Sequence, residues 1–231
     1  MLKKLFDKFD HIIFIDVETS GLNSKLDEII EIGGIRTILK NGKVCIDKEL
    51  NILIRLSEHK IVSQKIVALT GITAKMLDEN GLDKSMAGEN LVDLLNVDRP
   101  LIIAYNAQFD LCFMYYFLHS LGKENILRKV KMLDALTVYK DRRDYPHKLE
   151  NAIQTYNIDI KNTHRAIDDA RATFELLLAM DKEMSDLEQY INLFGFNPRY
   201  GINGPKISSI QYLPQSYARD KKLYADVEQI K

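Results

Sequence analysis

The chain has 231 residues, which suits one domain with an extension or two small domains, and is long enough to bury a sizeable core. Its 32 Lys and Arg nearly cancel its 33 Asp and Glu, leaving a formal charge of −1, so no global basic field announces nucleic acid and a polyanion would have to be held locally. Cys45 and Cys112 lack the pattern of a disulfide framework or zinc site and are expected to be buried reduced thiols. The basic start Met1-Leu2-Lys3-Lys4 meets Asp7 and Asp10 before any long apolar region forms, which argues against a signal peptide. No run reaches the ~18 apolar residues of a membrane span. A cytoplasmic location without membrane contact is the resulting expectation.

In chain order, residues 11–17 form a dense apolar run rich in β-branched residues, which suits a central strand. Strands over 28–39 and 43–54 follow, joined by Asn41-Gly42, where both residues tolerate the positive φ of a type I′ turn. Gly33-Gly34 inside the second strand points to a bulge or a close backbone approach. Thr73 is expected to cap a short helical segment, and a further helix covers 89–95. Pro100–Ala104 reads as a strand, Asn106 as the cap of a helix over 107–121 that Gly122 stops, and 130–133 as a short strand ending at Asp134. Helices over 147–156 and 164–182 complete a three-strand meander followed by strand–helix repeats, an α/β mixed sheet with helices packed on it. Residues 183–231, broken by Gly195, Pro198, Gly201, Gly204, Pro205 and Pro214, read as an extension wrapped on the domain or exposed as a tail. Its Arg199, Lys206, Arg219, Lys221 and Lys222 read as a solvated face in preference to a nucleic-acid clamp.

Asp16 and Glu18 sit two apart at the end of the first strand, so both side chains leave the same face. Such close like charges repel unless a cation lies between them, and hard divalent metals take oxygen ligands. Asp110 falls in the first turns of its helix, where an acid also complements the macrodipole. On the last helix Asp168 shares a face with Arg171, Glu175 and Lys182, a solvated stripe with an Arg171/Glu175 pair. Asp169 is flanked by Ala166, Thr173 and Leu176, and an acid on an apolar flank requires a partner. His164 stands at that helix start, within reach of the same site.

Asp16-Val17-Glu18-Thr19-Ser20-Gly21-Leu22, Asn106-Ala107-Gln108-Phe109-Asp110 and His164-Arg165-Ala166-Ile167-Asp168-Asp169-Ala170 resemble, in order, the three motifs of the DEDDh exonucleases. Within that group the chain is most similar to the polymerase III epsilon-like and PolC-type proofreading domains, over residues 11–182. Tyr105 departs from the pattern, standing where these proteins usually have histidine. The resemblance implies a ribonuclease H-like exonuclease domain over 1–182 with a C-terminal extension over 183–231. It also implies Asp16, Glu18, Asp110 and Asp169 as ligands of two divalent ions, Mg²⁺ or Mn²⁺, and His164 as general base. Asp16 would bridge both ions, Glu18 and Asp169 would favour the nucleophile side, and Asp110 the leaving-group side. Thr19, Ser20, Gly21, Leu22, Tyr105, Asn106 and Phe109 would contact the terminal nucleotide. The expected reaction is 3′-to-5′ hydrolysis of DNA ends to nucleoside 5′-monophosphates, with a DNA polymerase or another replication or repair protein as partner. The alternatives are an RNA or oligoribonucleotide exonuclease, and a docking module of weak activity.

Overall fold

The computed structural model describes residues 1–160, 163–216 and 221–227. Five strands, β1 (His11–Thr19), β2 (Ile29–Lys40), β3 (Lys43–Leu53), β4 (Pro100–Ala104) and β5 (Lys131–Asp134), form one sheet in the order β3-β2-β1-β4-β5. The meander β1-β2-β3 is antiparallel, whereas β4 and β5 run parallel to β1. Asn41 and Gly42 turn the β2–β3 hairpin with φ of 52° and 74°. The helices are α1 (Lys3–Phe6), α2 (Gln64–Thr70), α3 (Ala74–Asn80), α4 (Lys84–Leu95), α5 (Ala107–Ser120), α6 (Ala135–Lys140), α7 (Leu149–Thr155) and α8 (Ala166–Glu183).

The central strand explains the two-sided core. Ile12 and Phe14 of β1 join one cluster with Ile167, Leu176 and Leu177 of α8, while Ile13, Ile15 and Val17 join another with Leu91 and Leu94 of α4 and Leu111 and Met114 of α5. A strand buried on both faces has to be apolar throughout, as this run is. Asp16 and Glu18 continue the row of Ile12 and Phe14, the face on which α8 packs, where Phe14 meets Phe174 edge-on at 5.0 Å.

The close backbone approach expected at the glycine pair falls on Gly33. A Cβ there would lie 2.5 Å from the Ala166 carbonyl oxygen and closer still to Ile167 N, so α8 can begin at this height on the sheet only over a residue without a side chain. No bulge lies at Gly33-Gly34; the register shifts fall at Arg36/Thr37 and Glu18/Thr19. Cys112 is buried, but Cys45 is exposed, because β3 is the sheet edge. Arg171 reaches Glu49 on β3 at 2.6 Å instead of Glu175 on its own helix, since the neighbouring strand offers a closer carboxylate.

The C-terminal residues described pack against the sheet. Asn192 extends the free edge of β5, donating through its N–H to the Met132 carbonyl (2.7 Å) and accepting from Met132 N–H through Oδ1 (2.8 Å). Two short parallel strands follow, β6 (Leu193–Phe196) and β7 (Gln211–Pro214). Leu187, Tyr190, Leu193, Leu213 and Leu223 enter the same core cluster as α8. Arg219 lies outside the described residues. Among the described residues no helix is long and apolar enough to cross a membrane.

Candidate active site

Three elements bring acids to one end of the sheet. β1 delivers Asp16 and Glu18 just before its register shift, a local kink of the kind that re-aims side chains next to functional sites. Across the ladder Asp16 faces Gly33 and Glu18 faces Glu31. Asp110 comes from the first turn of α5, is 2% exposed, and accepts a hydrogen bond from Val17 N–H at 3.1 Å. That bond ties α5 to the strand between the two β1 acids.

The start of α5 is held differently from the sequence expectation. Asn106 occupies the cap position at φ 72°, but its side chain makes no capping hydrogen bond. Asp134 does this work from the end of β5: its Oδ1 accepts from Asn106 N–H (2.9 Å) and Ala107 N–H (3.1 Å), while Oδ2 accepts from the Thr137 hydroxyl (2.6 Å). One buried carboxylate therefore caps both α5 and α6, and leaves the Asn106 amide exposed beside the site.

The third arm is α8. Buried Glu31 accepts from Arg165 Nε (2.9 Å) and from Ala166 N–H (2.9 Å), so its two oxygens grip both the side chain before the helix and the first free amide of the helix. With Gly33 beneath, this clamp sets the position of Asp169 one turn further on. His164 precedes the clamp in the left-handed region at φ 53°, a conformation costing about 1 kcal/mol or more for a side-chain-bearing residue. The turn brings ligand atoms of His164, Glu18 and Asp169 within 4.8 Å of one another.

The electrostatics are those of crowded acids. Loss of hydration pushes the Asp16 carboxyl well above its ordinary range, and Asp110, Asp169, Glu18 and Glu31 add repulsion. Burial, then Asp169, Glu31 and Asp110, push Glu18 up to about 8, against the pull of Arg165. Asp110 is pushed up to about 8, first by burial, although its own N–H and that of Val17 favour the charge. Asp169 is pushed up to about 7 by burial and then by Asp168 and Glu31. Its Oδ1 is buried with no hydrogen-bond donor among the described residues. An unsatisfied carboxylate oxygen among mutually repelling carboxyls, all hard oxygen donors, fits a divalent cation.

The remaining predicted contacts divide. Leu22 is 82% exposed and lines a cleft with Phe109. The Thr19 hydroxyl donates to the Gly21 carbonyl at 2.6 Å, and Ser20 Oγ accepts from Glu28 N–H at 3.0 Å, so these side chains shape the loop that presents Leu22. Gly21 leaves no room for a Cβ, which would run into the Asp27 carboxylate. Tyr105 is half-buried and its hydroxyl donates to the His147 carbonyl at 2.8 Å, which places it in the wall. Glu31 escaped the sequence reading, and Asp134 was read there only as a strand end, not as a cap. Their signals are an acid inside the apolar run Ile29-Ile30-Glu31-Ile32 and an acid at the end of a buried parallel strand.

A family model described as exonuclease, RNase_T, matches residues 13–177. The PolC-type DNA polymerase III of Clostridium perfringens is 32% identical over 205 residues, which is 84% of this chain and 13% of that protein. That of Bacillus subtilis is 30% identical over 194 residues, 79% of this chain and 12% of that protein. The chain therefore spans about an eighth of the length of these curated relatives. Among solved structures, the zinc-bound complex of Escherichia coli exonuclease I with single-stranded DNA superposes with a TM-score of 0.70. That match has 21% identity and covers 79% of this chain and 42% of that one, a likeness of fold.

Proposed function

Because the chain belongs to the RNase_T exonuclease family, we propose that it removes nucleotides one at a time from the 3′ end of DNA, in single-stranded or frayed form, releasing nucleoside 5′-monophosphates. The observation that carries this reading is the gathering of Asp16, Glu18, Asp110 and Asp169 near enough to repel one another, with an unsatisfied buried oxygen on Asp169 and ligand atoms of Glu18, Asp169 and His164 within 4.8 Å of one another. These four carboxylates would hold two divalent cations, Mg²⁺ or Mn²⁺. Such ions, when bound, lower the pKa of water and neutralise charge on the phosphate and the departing oxygen.

Each side chain then has a distinct task. Asp16, which all three other acids repel, would help to hold both cations. Glu18 and Asp169 lie with His164 on the side where water attacks, and the imidazole takes the proton from that water. Asp110, fixed by Val17 N–H on the α5 side, serves the leaving 3′ oxygen. The Glu31 clamp and the Gly33 contact keep Asp169 and His164 in register with β1. Leu22 and Phe109 flank the terminal nucleotide, an apolar pair suited to a base or sugar face. The relatives named PolC-type polymerase suggest work on replication errors beside a polymerase, which belongs to the same proposal.

End-labelled substrates test this reading. A 5′-labelled single-stranded DNA should shorten stepwise in Mg²⁺ or Mn²⁺ and stay intact in EDTA, with duplex DNA slower and RNA a poor substrate. Shortening from the 5′ end would overturn the polarity, and faster loss of RNA would move the enzyme to that substrate.

A further inference from the structure

Resting on that reading, we propose that residues 197–206 of the C-terminal extension, together with Lys140, hold the nucleotides that precede the 3′ end of a bound single strand. Tyr200 stacks on a base, and Arg199 and Lys140 contact phosphates.

The loop is fixed to the helix that carries Asp110. Gln108, two residues before that acid, donates through Nε2 to the Pro205 carbonyl at 2.8 Å and accepts from the Tyr212 hydroxyl at 2.6 Å. The same hydroxyl accepts from Ile207 N–H at 3.1 Å. Gly204, at φ +83°, rests so closely on α5 that a Cβ would stand 3.3 Å from Cys112 Sγ. Asn197 starts the loop, its carbonyl accepting from Gly201 N–H at 2.9 Å and its Oδ1 from Arg199 N–H at 2.9 Å.

Both sides of the loop open onto cavities that share Gln108, on the helix that carries Asp110. On one side a cavity of about 170 Å³, lined by polar and apolar groups alike, lies between Asn106 at the start of α5, Lys140 at the end of α6, and Asn197, Gly201 and Asn203 of the extension. On the other, Asn203 and Gly204 complete the cleft of Leu22 and Phe109. The loop therefore borders the pair that the proposed function sets against the last nucleotide.

The chemistry presented is that of a single-strand track. Tyr200 is 77% exposed, with the Arg199 guanidinium 5.6 Å from its ring centroid. Among the described residues neither Arg199 nor Lys140 has a carboxylate partner, a state that Arg199 shares with Arg55 and Arg128, whereas Arg36, Arg99, Arg142, Arg143, Arg165 and Arg171 have one. In a chain of net charge −1, such uncompensated cations beside an exposed aromatic ring match the combination that binds single strands by stacking and phosphate contact, without sequence readout.

The test compares oligo(dT) of twelve nucleotides with p-nitrophenyl thymidine 5′-monophosphate, which reaches only the carboxylate site, using the full chain. Tyr200→Ala should raise KM for the oligonucleotide about five- to tenfold, with far less change on the ester, and Tyr200→Phe should restore it. Lys140→Ala should flatten the dependence of log affinity on log salt by about 0.7, one phosphate contact on a single strand. Equal losses on both substrates, or an unchanged KM for the oligonucleotide, would overturn the proposal. Fluorescence anisotropy of labelled oligo(dT) in EDTA separates it from the catalytic reading. Weakened binding by Tyr200→Ala in a protein that hydrolyses neither substrate keeps the track and removes the nuclease, while unweakened binding removes the track.

Discussion

Replacing Glu18 with glutamine isolates the electrostatic cost of the acid cluster. The Glu18 carboxyl moves from an ordinary 4.5 to about 8 in the folded chain, chiefly through burial and then through Asp169. A raised carboxyl pKa means that the folded state holds the extra proton. Stability is therefore highest below the unfolded value and falls as pH rises towards 8. At pH 7 the difference from 4.5 corresponds to at most about 3 kcal/mol at 1.36 kcal/mol per pH unit. Glu18 keeps some solvent contact, so screening reduces this to about 1–2 kcal/mol. Glutamine removes the charge and keeps the shape. In EDTA at pH 8, Glu18→Gln should melt about 2–8 °C above wild type, and at pH 4.5 the two should coincide. Added Mn²⁺ should stabilise wild type more than the variant, reversing the order. A variant that melts below wild type in EDTA at pH 8, or a gap that does not grow with pH, would refute the reasoning.

Other perturbations address the arms of the site. His164→Ala should lower kcat about 10²- to 10⁴-fold with little change in KM; a twofold loss in mononucleotide release makes the imidazole a spectator. Gly33→Ala places a methyl group against the backbone of Ala166 and Ile167, and should cost about 1–3 kcal/mol in urea unfolding while also lowering kcat. A stable, fully active Gly33→Ala would show that α8 moves freely over the sheet. Glu31→Ala leaves Arg165 and the Ala166 amide without their buried partner and should cost about 3 kcal/mol; a loss below about 1 kcal/mol would remove the clamp from the account.

The strands and the order of the acids were legible because they depend on local pattern. The apolar run of β1 is buried on both faces, Asn41-Gly42 makes its hairpin, and the period of two puts Asp16 and Glu18 on one side. What escaped depends on contacts between distant segments. Glu31 lies 134 residues from Arg165, and Asp134 lies 28 from Asn106, so neither pairing leaves a short-range trace. The Asn106 cap failed for a related reason: a carboxylate from another strand reached the free amides first. Cys45 read as buried because a strand pattern cannot say which strand is the edge. The extension was ambiguous because its attachment, through Asn192 and Gln108, involves single residues in an irregular stretch.

The most direct test is Mn²⁺-dependent release of thymidine 5′-monophosphate from a single-stranded oligo(dT) by wild type and by Asp16→Asn, each first shown by circular dichroism to be folded. Release by wild type that EDTA abolishes, with none detectable from Asp16→Asn, is the predicted result. Wild-type rates from Asp16→Asn, or release undiminished by EDTA, would contradict the claim that these four carboxylates form a divalent-cation site for phosphodiester hydrolysis.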